Sequence, residues 1–173
     1  GYALAKIAGY KLCLYLSRQY GWNTVSLMPC NLYGTNDNYD PENSHVFPAF
    51  VRRFVTAARE NKTEEVLWGT GAPLREFLHV DDVANAVYYF MQNHNDPEVV
   101  NIGSGSDITI RELAGKIAAA AGFRGEIRWD ASRPDGMYRK LMDSSKTYAL
   151  GRKLEITLGE GIRKIFRSIT VDE

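Results

Sequence analysis

Helix signals outnumber strand signals in this chain, and that imbalance constrains its fold more than any other feature. Residues 2–20 read as a helix rich in Ala, Leu, Lys and Ile and stopped by Gly21. Thr24–Met28 (TVSLM) is a short apolar, β-rich run ended by Pro29, and Cys30–Ser44 is a long loop of Asn, Gly, Asp, Tyr and Pro. Helical spacing resumes from Phe47 to Glu60, followed by strand signals at Glu65–Trp68 and Glu76–Val80. Asp81 then stands where a cap belongs, for a helix running to about Gln92. Val99–Ile102 reads as a strand, Ile110–Ala121 as a helix, Glu126–Trp129 as a strand and Gly159–Ser168 as a final helix. The class is α/β, yet only one or two of these strands suit a doubly wound sheet, which needs several parallel strands covered on both faces. No glycine-rich turn links a strand to a helix near the start. Gly103-Ser104-Gly105 lacks a third spaced glycine and an acidic residue about 20 positions on, so it reads as a plain turn. The pattern behaves as half of something.

Bulk properties narrow the class of partner. Lys plus Arg and Asp plus Glu both number 21, so no global field draws the chain to nucleic acid or an anionic membrane, and any anion site is local. No apolar run is long enough to span a bilayer, and the first residues carry no signal-peptide pattern. Cys13 and Cys30 are too few for a zinc pattern; they read as reduced thiols of a cytoplasmic protein, and no metal is expected.

Chemistry enters at the first helix. In Tyr2-Ala3-Leu4-Ala5-Lys6 a phenol and an ammonium lie four positions apart, hence on one helical face. An ammonium beside a phenol favours the phenolate electrostatically, and such a pair can pass a proton to or from a carbinol oxygen while hydride moves at carbon.

YALAKIAG, an apolar run ending at Pro29, and Asn31-Leu32-Tyr33-Gly34 together resemble the second half of the extended short-chain dehydrogenases, the NAD-dependent epimerase/dehydratase family. The stretch Leu74-Arg75-Glu76-Phe77-Leu78-His79-Val80-Asp81-Asp82 is similar to that family's R-[DE]-F-[IL]-H-V-D-D signature. NSHVFPAFVRRF (43–54), Val66-Leu67-Trp68-Gly69 and DASRPDG (130–136) resemble its nucleotide-sugar epimerase-reductase branch.

The resemblance implies the carboxyl-terminal part of a Rossmann-type doubly wound sheet plus a small α/β substrate-binding domain. Residues 1–34 would be the tail of the dinucleotide-binding domain and 35–173 mainly substrate-binding, with about 76–102 returning to the first. The implied reaction is epimerisation and reduction of GDP-4-keto-6-deoxymannose to GDP-L-fucose with NADP(H). Tyr2 and Lys6 match the catalytic dyad, which also grips the nicotinamide ribose. Pro29, Cys30, Asn31 and Leu32 match the loop beside the nicotinamide ring, at the strand end where open α/β sheets bind ligands. His45 matches an acid of the epimerisations that also borders the cofactor; an imidazole, with an unperturbed pKa of about 6.5, offers both protonation states near neutrality. Arg53, Trp68 and Arg75 match the grip on the GDP-sugar, and Asp130 a further substrate contact.

Helical geometry separates Arg52 from Arg53 by about 100°, so Arg53 is expected to face the site beside Arg75 and Arg52 to face water. His79 and Asp81 are expected to be structural, the latter as the helix cap, and His94 to lie in a surface loop. The family's cofactor fingerprint, catalytic serine and acid/base cysteine would all precede Tyr2, so the chain alone is expected to be an inactive fragment. Its first helix is apolar almost all round, which implies a second buried side and a homodimer through residues 2–20. The alternatives are another nucleotide-sugar 4-epimerase or 4,6-dehydratase, or a non-catalytic sugar-nucleotide-binding or oligomerisation module.

Overall fold

The computed structural model describes residues 1–169. Helix α1 covers Tyr2–Tyr20 and closes on Gly21, whose φ of 68° lets its N–H reach the Ser17 carbonyl. Strands β1 (Leu27–Pro29) and β2 (Asn31–Tyr33) follow, then helix α2 (Val46–Arg59) and strands β3 (Glu64–Trp68), β4 (Leu74–Arg75) and β5 (Phe77–His79). Helix α3 (Val80–Asn93) leads to β6 (Val100–Ile102) and β7 (Ile108–Thr109). Thr109 and Glu112 form a reciprocal capping box that starts α4 (Ile110–Ala120). Strands β8 (Glu126–Asp130) and β9 (Arg139–Lys140) and helices α5 (Ser145–Ala149) and α6 (Leu158–Ile169) complete the described chain.

Three two-stranded sheets are parallel: Leu27 meets Val100, Asn31 meets Phe77, and Glu64 meets Glu126. β4 is flanked by antiparallel β7 and parallel β9. Two apolar cores form around these pairs. The larger gathers Tyr33 and Leu67 from β2 and β3 with Phe47, Phe54, Leu113, Ile117 and Ile165 from α2, α4 and α6. The smaller gathers Leu78, Ala86, Phe90, Val100 and Ile102, with Val25, Leu27 and Leu32 packed against it. Helix α1 stands apart from both: Leu14 is its one buried residue, while Leu4, Ile7, Leu12 and Tyr15 are exposed.

Several expectations change. Pro29 belongs to β1 rather than ending it, because its own ladder partner is Ile102 and the missing N–H falls at the strand end. The loop from Cys30 is interrupted at once by β2, whose Tyr33 is buried. His79, not Asp81, caps α3: its Nδ1 accepts the Asp81 N–H at 3.2 Å, and Asp81 sits in the first turn paired with Lys164 at 2.7 Å. His94 is buried, with its ring edge-on to Phe90 at 5.6 Å, because the helix end turns it inward despite polar neighbours. Gly103-Ser104-Gly105 is a turn built around a carboxylate: Gly105 N–H donates to Glu76 Oε1 at 2.7 Å.

Candidate functional site

A groove of about 880 Å³ opens between α2, β3 and β4. Helix α2 supplies its floor because its apolar face (Phe47, Phe50, Val51, Phe54) is spent on the core, leaving Ala49, Arg52, Arg53 and Thr56 toward the opening. Arg53 is gripped by Glu65 at 2.6 Å and donates to the Val66 carbonyl. Arg75, at the end of β4, donates to the Leu74 and Met137 carbonyls at 2.7 and 2.6 Å. Both guanidinium groups thus stand in the groove wall, held by protein acceptors, and each brings a cation with N–H donors to spare.

Arg52 departs from expectation. It is exposed, but it lines the same groove and donates to the Tyr39 carbonyl at 3.2 Å. A groove wide enough to take residues about 100° apart on one helix admits both arginines. Lys62 adds a further cation to the wall.

Trp68 is 69% exposed and lines the groove, with Arg133 stacked over its indole at 5.1 Å. Its ladder partner is Asp130. The Asp130 carboxylate accepts from Ser132 Oγ at 2.5 Å and Ser132 N–H at 3.0 Å, and these bonds hold it below the usual carboxylate range. Asp130 is absent from the groove wall, and its bonds fold the turn that carries Arg133. Asp135, which sequence reasoning passed over, does line the groove; it accepts from Thr70 Oγ and N–H at 2.6 and 2.7 Å. The Gly69-Thr70-Gly71 turn is the signal that could have found it, since an aspartate is drawn to such free donors.

His45 caps α2 with extended backbone (φ −70°, ψ 165°) and makes no side-chain cap bond. It is exposed between Ser44 and Val46, both of which line the groove. The turn before it is fixed by Asp40, whose Oδ1 accepts from Glu42 and Asn43 N–H.

Tyr2 and Lys6 come together on α1, with Lys6 Nζ 5.4 Å from the Tyr2 ring centre. Both are exposed, and neither lines the groove. The Pro29–Leu32 run lies at the carboxyl end of β1. Pro29 and Asn31 are exposed, Leu32 packs on the smaller core, and Asn31 Nδ2 donates to the Glu76 carbonyl at 2.8 Å. Burial, aided by the Glu76 charge, pushes the Cys30 thiol up to about 12, so it is no nucleophile near neutrality. The structure therefore unites the groove residues with one another and the dyad with itself, as two separate groups.

Among the described residues no group of three or more His, Cys, Asp or Glu could hold a metal, and no helix is long and apolar enough to cross a membrane.

Comparison with known proteins gives a consistent answer. The model of the NAD dependent epimerase/dehydratase family matches residues 1–103. The chain is 52% identical over 166 residues to the probable GDP-L-fucose synthase 1 of Oryza sativa subsp. japonica, covering 96% of this chain and 51% of that protein. To the GDP-L-fucose synthase of Escherichia coli (strain K12) it is 47% identical over 175 residues, covering 96% and 54%. The solved GDP-L-fucose synthetase of Naegleria fowleri bound to NADP matches with a TM-score of 0.91 at 27% identity, covering 99% of this chain and 56% of that one. The chain spans about half the length of the curated relatives it matches.

Proposed function

The chain belongs to the NAD-dependent epimerase/dehydratase family, and on that premise we propose that it forms the substrate-binding half of a nucleotide-sugar epimerase-reductase that makes GDP-L-fucose from GDP-4-keto-6-deoxymannose. The observation that carries this reading is the gathering of Arg53, Arg75 and Trp68, with the His45 turn beside them, on one groove. Two guanidinium forks take the diphosphate, and the exposed indole offers a flat face to a ring. His45, free of any cap bond, exchanges protons at the sugar carbons flanking the ketone.

The dyad accounts for the reduction. Tyr2 and Lys6 are exposed, and their hydroxyl and ammonium suit the ribose and carbonyl end of a nicotinamide cofactor, as do the polar edges of Pro29–Asn31. NADPH, when bound, supplies the hydride. Tyr2 donates its proton to the C4 oxygen, Lys6 steadies the resulting phenolate, and the Cys30–Asn31 loop borders the nicotinamide. The NADP in the Naegleria fowleri relative supports the choice of NADP over NAD. A homodimer through α1 belongs to the same reading, supported by the exposed Leu4, Ile7 and Leu12, and a cytoplasmic setting by two free cysteines.

The test is direct. The full-length protein, given NADPH and GDP-4-keto-6-deoxymannose, should consume the cofactor and yield GDP-L-fucose. Consumption without inversion at the carbons beside the ketone would leave a plain reductase and overturn the epimerase assignment.

A further inference from the structure

Glu76 is the residue between β4 and β5, and its side chain is 1% exposed. Its Oε1 accepts the Gly105 N–H at 2.7 Å and lies 3.3 Å from the Ser104 hydroxyl. Its Oε2 accepts the Met142 N–H at 3.0 Å, two residues beyond β9. Its backbone carbonyl accepts from Asn31 Nδ2 at 2.8 Å. The fit at the turn leaves no slack: a Cβ on Gly103 would stand 2.5 Å from Oε1 and 2.8 Å from Ser144 Oγ. A buried carboxylate costs several kcal/mol in desolvation unless its lone pairs are met, as they are here by two backbone donors and a hydroxyl.

The placement matters more than the burial. Arg75, the preceding residue, stands in the groove wall and is tied to Met137. Phe77, the following one, pairs with Asn31 beside Cys30. One residue, Glu76, therefore separates the groove from the loop assigned above to the nicotinamide. The carboxylate of Glu76 joins that unit to the 103–105 turn after β6 and to the segment leaving β9, which itself pairs with Leu74 and Arg75. Four stretches of chain meet at this carboxylate and its backbone carbonyl.

We infer that Glu76 is a positioning residue, holding the Cys30–Asn31 loop and the Arg75 wall in one fixed register so that hydride donor and sugar carbonyl face each other. It acts through these neighbours and touches neither ligand. The inference rests on the proposed function, because it assigns the two sides of Glu76 to cofactor and GDP-sugar. Each ligand keeps its own direct contacts when Glu76 is altered, so the loss falls on their mutual alignment. A misplacement of about 1 Å between reacting groups costs on the order of 10²-fold in rate.

The test uses the full-length protein carrying Glu76→Gln. The amide keeps the shape but turns a donor toward either the Met142 or the Gly105 N–H, so one of the two segments loses its anchor. Dissociation constants for GDP and for NADPH are measured separately, alongside kcat. The expected result is that both affinities stay within about threefold of wild type while kcat falls about tenfold or more. Glu76→Asp, which restores the charge on a shorter stem, should recover part of that loss. Wild-type kcat in Glu76→Gln overturns the inference. So does a fall of both affinities that matches the fall in kcat, the mark of a disturbed fold; kcat is taken per binding site counted in the same titrations, so lost folded protein does not lower it. Where Glu76→Gln fails to accumulate, Glu76→Asp carries the same measurement: reduced kcat with intact affinities supports the role, and wild-type kcat overturns it. A wild-type protein that binds no GDP at all would sink the proposed function first, and this inference with it.

Discussion

Arg53 and Glu65 form a fixed pair in the groove wall: two guanidinium nitrogens reach one carboxylate oxygen at 2.6 Å. The pairing fixes the fork before any ligand arrives, which reduces the ordering cost of binding. Arg52, exposed and held by a single carbonyl, has no such preparation. In the full-length protein Arg53→Ala should weaken GDP binding by about tenfold or more, from the loss of charge-assisted bonds typically worth about 1.5–3 kcal/mol. Arg52→Ala should cost about threefold or less, as exposed charge contacts usually do. Titration calorimetry ranks the two; an equal loss from both would mean the diphosphate lies nearer the rim.

Trp68 carries Arg133 on its face, and an exposed cation–π contact is worth only about 0.5–1 kcal/mol. A ligand ring can therefore displace the guanidinium at small cost. GDP should quench tryptophan fluorescence, and Trp68→Phe should abolish the change while Trp22 and Trp129 still emit. Quenching that survives the substitution would move the stacking site elsewhere.

His45→Gln keeps a polar side chain at the α2 cap but cannot exchange a proton. Incubated in heavy water, the full-length variant should stop incorporating deuterium at the sugar carbons beside the ketone. Incorporation at the wild-type rate removes His45 from the chemistry.

Gly161 lies on α6 where a Cβ would stand 2.1 Å from the Tyr33 hydroxyl oxygen and 2.7 Å from its ring. Tyr33 is buried against Phe47, ring centres 4.2 Å apart, and cannot retreat. In an open helix Gly→Ala stabilises by about 1 kcal/mol. Here Gly161→Ala should destabilise by about 1–3 kcal/mol through overpacking, read from denaturant midpoints.

His79 supplies a pH dependence. Burial holds its imidazole below the ordinary value, Lys164 pushes it the same way, and Asp81 and Asp82 oppose them. Its Nδ1 must be unprotonated to accept the Asp81 N–H, so the cap exists in the neutral form. Stability from this group is complete above the unfolded value of about 6.5 and is lost as pH falls through the lower folded value. The melting temperature should drop on acidification below about pH 6.5, and His79→Asn, an acceptor that does not titrate, should flatten that slope.

Local signals in the sequence read the long elements well. Gly21 stops α1, and the helical spacing read from Phe47 to Glu60 and from Ile110 to Ala121 falls on α2 and α4. The misreadings share one cause, which is that partners distant in sequence decide them. Pro29 is a strand residue because Ile102 lies beside it, and His94 is buried because Phe90 turns it inward. Asp130 lies beside Trp68 on the ladder, and its carboxylate accepts from Ser132. Glu76 sits inside the stretch that resembles the family signature, yet no spacing rule tells that its carboxylate is met by Gly105 and Met142.

The parallel ladders bear on how fast this chain reaches its structure. Leu27 must find Val100, Asn31 must find Phe77 and Glu64 must find Glu126, and none of these pairs can be closed by a tight hairpin. Each requires a long loop to be drawn together before its contacts repay the lost entropy. A high mean sequence separation of contacts slows folding, so the chain should refold slowly, with helices α2 and α4 forming long before β1 meets β6.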